Sequence, residues 1–259
     1  MIEIITSSSN PKIKALLALQ QKSSQRRKES LFVVEGIREL ERCIAAGYEA
    51  DTVFVCPEIA AEVELPQGCK RFYVSKELYA KIAYREGTEG VIAEVKSKSL
   101  KLEDLNLSDN PLIMVLESVE KPGNLGAILR TCDAAGADAL LVCDPLTDLF
   151  NPNLIRASLG AAFSVPTVAC GSEEAIAFLQ SKGIRILTAQ LQDSELYYDI
   201  DMKRGTALVM GTESTGLSDV WRKAADAHIR IPMLGMVDSL NVSVSAAVLL
   251  YESVRQRNG

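Results

Sequence analysis

The chain has 259 residues, of which 47% are hydrophobic, and a formal net charge of −6 at pH 7. This length suffices for one large domain or two ordinary ones, and the composition predicts a packed core and excludes a largely disordered chain. No apolar run reaches the ~20 residues that cross a bilayer, and the N-terminus lacks the apolar segment of a signal peptide, so we expect a cytoplasmic protein.

The first part of the chain alternates short β runs with helical patterns, which predicts a small α/β domain over residues 1–96. Polar residues without a strong period follow at 97–111 and end in Asp-Asn-Pro, which indicates a linker. The predicted elements of this domain are a capped helix and a basic loop within 7–30, strands at 31–35, 52–56, 72–74 and 91–95, helices at 36–46 and 75–83, and a helical turn at 60–63.

The positive charge is concentrated near the N-terminus. Residues 1–101 carry 16 Lys+Arg against 14 Asp+Glu, which leaves 12 against 20 for the rest of the chain. A basic arm on an acidic protein fits contact with a phosphate backbone, although a solvated helix face would show the same charges. The arm includes Lys22, Arg26, Arg27 and Lys28.

Residues 112–259 alternate more clearly between continuous apolar strands and helices, which predicts a second domain with a parallel sheet covered on both faces. Ligands of such sheets bind at the carboxyl ends of the strands. Ser239 is expected to cap the last helix, with Asn241 in its first turn. The predicted strands are 112–116, 139–143, 165–169, 184–189, 207–211 and 229–231, and the other predicted helices are 124–135, 153–163, 173–182 and 219–225.

The six cysteines form no C-x-x-C pair and mostly have apolar neighbours, so we expect reduced thiols with no disulfide and no metal site. The single histidine, His228, adjoins an apolar strand, and we interpret it as structural.

Three loops at predicted strand ends place glycine beside a polar amide or carboxylate. They contain KPGNLGAILRT at 121–131, VMGTESTGL at 209–217 and IPMLGMVDSLNVSVSAA at 231–247. None has the lysine of a phosphate loop or the G-x-G-x-x-G of a dinucleotide fold. The ligand is therefore not expected to be held by phosphates.

Together these three segments resemble the three motifs of the SpoU/TrmH family of RNA methyltransferases, within the SPOUT superfamily. The resemblance is detailed over about residues 110–255, where DLFNPNLIRASLGAAFSVP at 148–166 also matches, and looser over 1–95 through FVVEGIREL. It implies methyl transfer from S-adenosylmethionine to a ribose 2′-OH of RNA. It also implies a trefoil-knotted catalytic domain, a homodimer, and a substrate-binding N-terminal domain, which favours ribosomal over transfer RNA. The apolar last helix, from Asn241 to Tyr251, could form part of the dimer interface.

The resemblance also implies roles for individual residues. Arg130 would hold the RNA phosphate and stabilise the developing alkoxide, because a guanidinium is almost never a base; proton removal by the arginine with phosphate assistance remains open. Residues that would position Arg130, the ribose or the cofactor are Asn124, Glu213, Ser239 and Asn241. Cofactor contacts map to Thr188, Ala189, Gly211, Ile231, Met233 and Leu240. Contacts with the RNA strand map to Asn151 and Arg156, for which a helix-surface salt bridge is the alternative.

Three other functions fit the same motifs. One is methylation of a base nitrogen or of transfer RNA by an enzyme of the same superfamily. Another is an RNA-binding or ribosome-assembly protein without turnover, and the third is a self-protection enzyme of the thiostrepton-resistance type.

Overall fold

The computed structural model describes residues 4–60, 65–84, 89–212 and 215–259. The chain divides into two compact units. The first comprises Met1–Lys98 and Leu149–Ile155, and the second comprises Ser99–Asp148 and Arg156–Gly259. The division expected from the sequence contains no segment that returns to the first unit after the second has begun.

The first unit is a mixed five-stranded sheet with helices, as the alternating pattern predicts. Ile13 and Leu16 of the first helix pack with Leu78, Phe54 and Ile92 in one core. The strands β1 to β5 are Ile4–Ile5, Leu31–Glu35, Ala50–Val55, Lys70–Val74 and Val91–Lys96, and the helices α1 to α4 are Pro11–Gln21, Ser23–Glu29, Ile37–Ala45 and Lys76–Ile82. The strand order is β1-β4-β3-β5-β2. Strand β4 is parallel to β1 and β3, while β5 is antiparallel to β3 and β2.

The basic stretch after α1 is a helix, so the predicted loop is wrong there. Helix α1 begins as expected: Oδ1 of Asn10 accepts a hydrogen bond of 2.9 Å from the amide of Lys12, and Pro11 opens the first turn. Helix α2 has no apolar stripe that would reveal it in the sequence. It is joined to α1 by Arg26, whose guanidinium donates to the main-chain carbonyls of Leu19 (2.5 Å) and Gln20 (3.2 Å). These are carbonyls at the end of α1 that the helix itself leaves unpaired.

Two further elements of the first unit differ from the sequence-based expectation. Strand β1 pairs with β4 through Ile4 and Tyr73, and its two residues are too few to produce a recognisable period. The helical turn expected at 60–63 falls on residues 61–63, which lie outside the described residues.

The returning segment belongs to the first unit through aromatic packing. The ring of Phe150 stacks on Phe32 of β2, with centroids 4.5 Å apart and planes at 23°. The hydroxyl of Tyr84 donates to Oδ1 of Asn153 over 3.0 Å. Phe32 therefore packs against residues far along the chain, on the sheet face opposite to its neighbour Val33.

The second unit is a seven-stranded sheet, and each of its described strand pairs is parallel, as predicted. The strands β6 to β12 are Leu112–Glu117, Ala139–Cys143, Thr167–Cys170, Arg185–Ala189, Glu195–Leu196, Thr206–Met210 and Ala227–Arg230. The helices α5 to α10 are Pro122–Ala135, Pro152–Ser158, Ala161–Ser164, Ser172–Ser181, Asp219–Ala224 and Val242–Asn258, of which α6 begins in the returning segment of the first unit and ends in the second. The strand order is β10-β12-β9-β11-β6-β7-β8. Among the described helices, none is both long and apolar enough to span a membrane.

The stretch expected to be a linker packs on the second unit. Leu102, in a short helical turn at Leu102–Asp104, is buried in the same core cluster as Ile113 and Leu179. Leu105 and Leu107 pack against that cluster.

The single helix predicted at 153–163 is interrupted. Leu159 (φ 52°) and Gly160 (φ 92°) take left-handed backbone conformations that end α6 and start α7. A leucine in this region is uncommon, and the apolar spacing of the segment did not reveal the break.

Candidate active site

The central strands of the second unit end at a common cleft. Strands β7 and β8 lie in chain order on one side of β6. The chain then crosses to the other side of β6, where β11 is its neighbour. This reversal is the place where open parallel sheets bind ligands. A cavity of about 180 Å³ lies there, and its lining residues are Val119, Glu120, Lys121, Asn124, Gly211, Thr212 and Val242. The cavity thus collects residues from all three motif segments.

Two of the predicted positioning residues meet beside this cavity. The side-chain amide of Asn241 donates to Oδ1 of Asn124 over 3.3 Å. Oδ1 of Asn241 accepts from the amide (3.0 Å) and the hydroxyl (2.6 Å) of Ser243, so Asn241 is the cap of α10. The expectation that Ser239 caps this helix is wrong, because the helix begins only at Val242; Ser239 is an exposed residue of the preceding loop.

Gly211 is required by the loop that follows β11. A Cβ atom at residue 211 would lie 2.2 Å from the carbonyl oxygen of Gly216 and 2.5 Å from the amide nitrogen of Leu217. Thr212 and Gly216 exchange main-chain hydrogen bonds of 3.2 and 3.1 Å. The loop therefore folds back onto its own first residue, which is a reason for glycine independent of any ligand. Glu213, the predicted positioning carboxylate of this loop, lies outside the described residues.

The end of β9 is fixed by a side-chain contact that the sequence did not reveal. Thr188 is fully buried, and its hydroxyl oxygen lies 2.6 Å from Nδ1 of His228, its register partner on β12. The side chain of Thr188 is thereby occupied, so a cofactor contact from this residue would use its backbone. Ala189 ends β9 and is half-buried.

The three apolar residues assigned to the cofactor occupy the loop between β12 and α10. Ile231 and Met233 follow β12 directly, Leu240 precedes the cap of α10, and all three are half-buried. Leu234 and Met236, at the middle of the same loop, are almost fully exposed. The half-buried residues could cover an apolar ring, whereas the exposed ones face away from the unit.

The side chains of Arg130 and Asn124 do not meet within one chain. It is exposed, and no hydrogen bond or ion pair among the described residues engages its guanidinium. Six residues separate it from Asn124 on α5, so the two side chains point about 120° apart around the helix axis. Arg130 is thus available to a ligand on another face of α5.

The residues predicted to contact the RNA strand are not equivalent. Lys22, Arg27 and Lys28 are exposed. Arg26 is buried and joins α1 to α2, so the prediction that it contacts RNA is wrong. Asn151 lies in the first unit, where its Oδ1 accepts from the amide of Asn153 over 2.9 Å, and Arg156 is an exposed residue of the second unit.

The thiol of Cys132, on the helix that carries Asn124, is not a nucleophile. Burial, aided by the charge of Asp133, raises the pKa of Cys132 on α5 to about 12, so the group stays protonated near neutral pH. All six cysteines are free. Among the described residues, no group of three or more His, Cys, Asp or Glu side chains is placed to hold a metal ion.

The cavity can hold a nucleoside and its sulfonium, because its lining combines amide and backbone groups with apolar side chains. It contains one carboxylate, Glu120, and one ammonium, Lys121, so it carries no net positive charge that would select a phosphate. One further polar atom at this edge was missed by the sequence: the buried Oε1 of Gln190, directly after β9, has no hydrogen-bond partner among the described residues. A single glutamine after a strand carries no signal of such a position.

Known proteins share both units of this chain. Residues 111–251 match the family model of the SpoU rRNA Methylase family, and residues 10–93 match the model of the MRM3-like substrate binding domain. The 23S rRNA (guanosine(2553)-2′-O)-methyltransferase RlmP of Bacillus subtilis is 28% identical over 95% of this chain and 97% of its own length.

Solved structures agree with the sequence matches. An RNA 2′-O ribose methyltransferase superimposes with a TM-score of 0.84 and 37% identity, covering 99% of this chain and 100% of that protein. An rRNA methyltransferase from Sinorhizobium meliloti, solved with AdoMet bound, gives a TM-score of 0.89 and 27% identity, covering 98% of each chain.

The parallel sheet with its motif loops at one edge defines the catalytic unit of a SPOUT-type RNA methyltransferase. The chain belongs to the SpoU rRNA Methylase family.

Proposed function

We propose that this enzyme transfers a methyl group from S-adenosylmethionine to a ribose 2′-OH of 23S ribosomal RNA in the bacterial cytoplasm. The observation that carries the proposal is the meeting of the three motif segments at one cavity, where Asn124, Gly211 and Val242 come together. Membership of the family and the names of the relatives give the reaction and the class of RNA.

The cofactor supplies a methyl group that is already activated by its sulfonium sulfur. The protein has two tasks: to orient the acceptor and to ease the loss of the hydroxyl proton. Backbone groups at Ala189 and Gly211 and the side chains of Ile231, Met233 and Leu240 are proposed to hold the cofactor. Fixing these groups at the ends of packed strands limits their reorganisation during the reaction.

Arg130 is proposed to face the RNA. Its permanently charged guanidinium would bind the phosphate beside the target ribose and stabilise the alkoxide that develops at the 2′ oxygen. The hydrogen-bonded pair of Asn124 and Asn241 is proposed to orient groups at the cavity, with Ser239 and Glu213 assisting.

A homodimer is part of this proposal. Arg130 points about 120° away from Asn124 on α5. We therefore propose that the guanidinium of Arg130 in one copy reaches the cofactor site of the second copy. Helix α10 and the loop before it leave apolar side chains exposed, which suits a subunit interface. These side chains are Leu234, Met236, Val237, Val244 and Tyr251.

The first unit is proposed to bind the ribosomal RNA. Support comes from its match to a substrate-binding domain and from the exposed cations Lys22, Arg27 and Lys28. Asn151 and Arg156 are proposed as further contacts to the RNA strand. The trefoil knot of the second unit remains a prediction.

The test is incubation of the enzyme with methyl-labelled S-adenosylmethionine and unmodified 23S ribosomal RNA, followed by mass spectrometry of the digested nucleosides. A 2′-O-methylated nucleoside at one position is the expected product. Three other results would contradict the proposed reaction: label on a base nitrogen, label only in transfer RNA, or cofactor binding without any label in the RNA.

A further inference from the structure

Gln190 lies at the edge of the second sheet where the carboxyl ends of the strands meet. It belongs to none of the three motif segments. It follows β9 directly, and its main-chain amide donates to the carbonyl of Ile229 over 3.0 Å. Its side-chain nitrogen donates to the carbonyl of Gln192 over 2.9 Å. These two contacts fix the backbone and the side-chain amide of the residue, and neither uses its side-chain oxygen.

That oxygen is buried and has no hydrogen-bond partner among the described residues. Exchanging the two ends of the amide does not remove the difficulty. The oxygen would then face the carbonyl of Gln192, and the nitrogen would occupy the position without a partner. A buried acceptor without a donor is unfavourable, and such groups in folded proteins usually have a partner that remains to be found.

The neighbouring strands indicate where a partner would come from. Strand β9 lies between β11 and β12, and both are parallel to it. The residues that follow these three strands, Gln190, Gly211 and Ile231, therefore emerge at the same edge. The hydroxyl of Thr188 at this edge is already taken by His228.

We propose that Oε1 of Gln190 accepts a hydrogen bond from the adenosine part of S-adenosylmethionine and thereby contributes to cofactor specificity. This inference rests on the proposed function. The donor is an N–H or O–H group, which the adenosine part offers in its exocyclic amine and in its ribose hydroxyls.

Two variants separate this role from a structural one. Gln190→Leu and Gln190→Glu both lose the nitrogen that donates to Gln192, but only glutamate keeps an acceptor oxygen. Calorimetry with S-adenosylhomocysteine is expected to show an affinity loss on the order of tenfold for Gln190→Leu and a clearly smaller loss for Gln190→Glu. The exposed Gln192→Ala variant serves as the control with unchanged affinity. Equal losses in the two variants of Gln190 would overturn the inference, because the residue would then act only through its nitrogen.

Analogues identify the donor. The wild-type protein and Gln190→Leu are titrated with the analogue that carries inosine in place of adenosine, and with the 2′-deoxy and 3′-deoxy analogues. The analogue that lacks the bonded donor should bind the wild type less tightly, while Gln190→Leu is indifferent to its absence. If every analogue affects both proteins equally, Gln190 makes no such bond. If the wild type binds no S-adenosylhomocysteine at all, the proposed function fails together with this inference, which is a distinct result.

Discussion

The side-chain amide of Asn241 donates a hydrogen bond to Asn124 across 3.3 Å, although 117 residues separate them along the chain. Because Oδ1 of Asn241 is held by Ser243, the orientation of its amide is determined and its nitrogen must point toward Asn124. This contact joins the start of α5 to the start of α10 at the cavity.

The two functions of Asn241 can be separated by substitution. Asn241→Asp keeps the oxygen that caps α10 but presents an acceptor to Asn124, so we expect near-normal stability and a fall in kcat of about tenfold or more. Asn241→Ala also loses the cap and should lower the free energy of unfolding by about 1 kcal/mol. Denaturant unfolding and single-turnover methylation measure the two effects. Identical kinetics for wild type and Asn241→Asp would refute a role of the pair in the reaction.

Arg130 should matter for turnover and little for the cofactor. Arg130→Ala removes an exposed guanidinium, so we expect kcat to fall by about a hundredfold or more while the affinity for S-adenosylhomocysteine changes little. Arg130→Lys keeps the charge but not the planar fork and should restore only part of the rate. Arg204→Ala, which removes another exposed arginine just before β11, is the matched control. Full activity of Arg130→Ala would remove this residue from the mechanism.

Gly211 should tolerate no side chain. Gly211→Ala would place a methyl group 2.2 Å from the carbonyl oxygen of Gly216, so the loop must shift, and we expect lower thermal stability and weaker cofactor binding. Gly123→Ala on α5 is the comparison, because nothing lies within 4 Å of its new Cβ atom. It should leave stability unchanged or raise it by about 0.5–1 kcal/mol. Equal melting temperatures for both variants would contradict so close an approach of the two loop segments.

The basic arm should divide into RNA-binding and structural residues. Replacing Lys22, Arg27 and Lys28 by glutamine should weaken RNA binding and flatten its salt dependence, by a slope of about 0.7–0.9 for each phosphate that the variant no longer neutralises. Arg26→Gln should instead lower stability, because its guanidinium satisfies the carbonyls of Leu19 and Gln20. Filter binding over a range of salt concentrations, together with thermal melts, distinguishes the two classes. An unchanged salt slope in the triple variant would make the arm a solvated surface.

Glu94 should give the first unit a pH-dependent stability. Burial raises the pKa of Glu94 to about 7, with the nearby charge of Asp51 adding to the effect. The folded protein therefore binds a proton that the unfolded chain releases near pH 4.5, so stability should fall as the pH rises from about 4.5 to about 7. Glu94→Gln should remove this fall and stabilise the protein above pH 7 by up to about 3 kcal/mol. The exposed Glu41→Gln is the control, and a flat pH profile in the wild type would contradict the prediction.

The sequence located the site because parallel strands bring their carboxyl ends to one edge. Asn124, Gly211 and Asn241 each follow or flank such an end, so their proximity was predictable without coordinates. The cap of α10 was misplaced by two residues because both Ser239 and Asn241 are good caps, and only the backbone determines which one is used.

Other features depend on contacts that no local pattern encodes. The buried Arg26 looks like its exposed neighbours in the sequence, and its partners lie on the preceding helix. The contact of Thr188 with His228 depends on strand register across the sheet. The side-chain oxygen of Gln190 has no hydrogen-bond partner among the described residues, and a sequence does not show which buried polar atoms lack one.

The stacking of Phe150 on Phe32 limits how this protein can be dissected. A fragment that stops at residue 98 would lack Phe150 and leave one face of Phe32 without its stacked ring, so truncation at the obvious boundary should yield a poorly soluble product. Two separately expressed halves would also not reproduce the native units, because the chain leaves the first unit and later supplies part of it. An excised N-terminal piece would need residues 149–155 tethered back onto it before its RNA affinity could be measured.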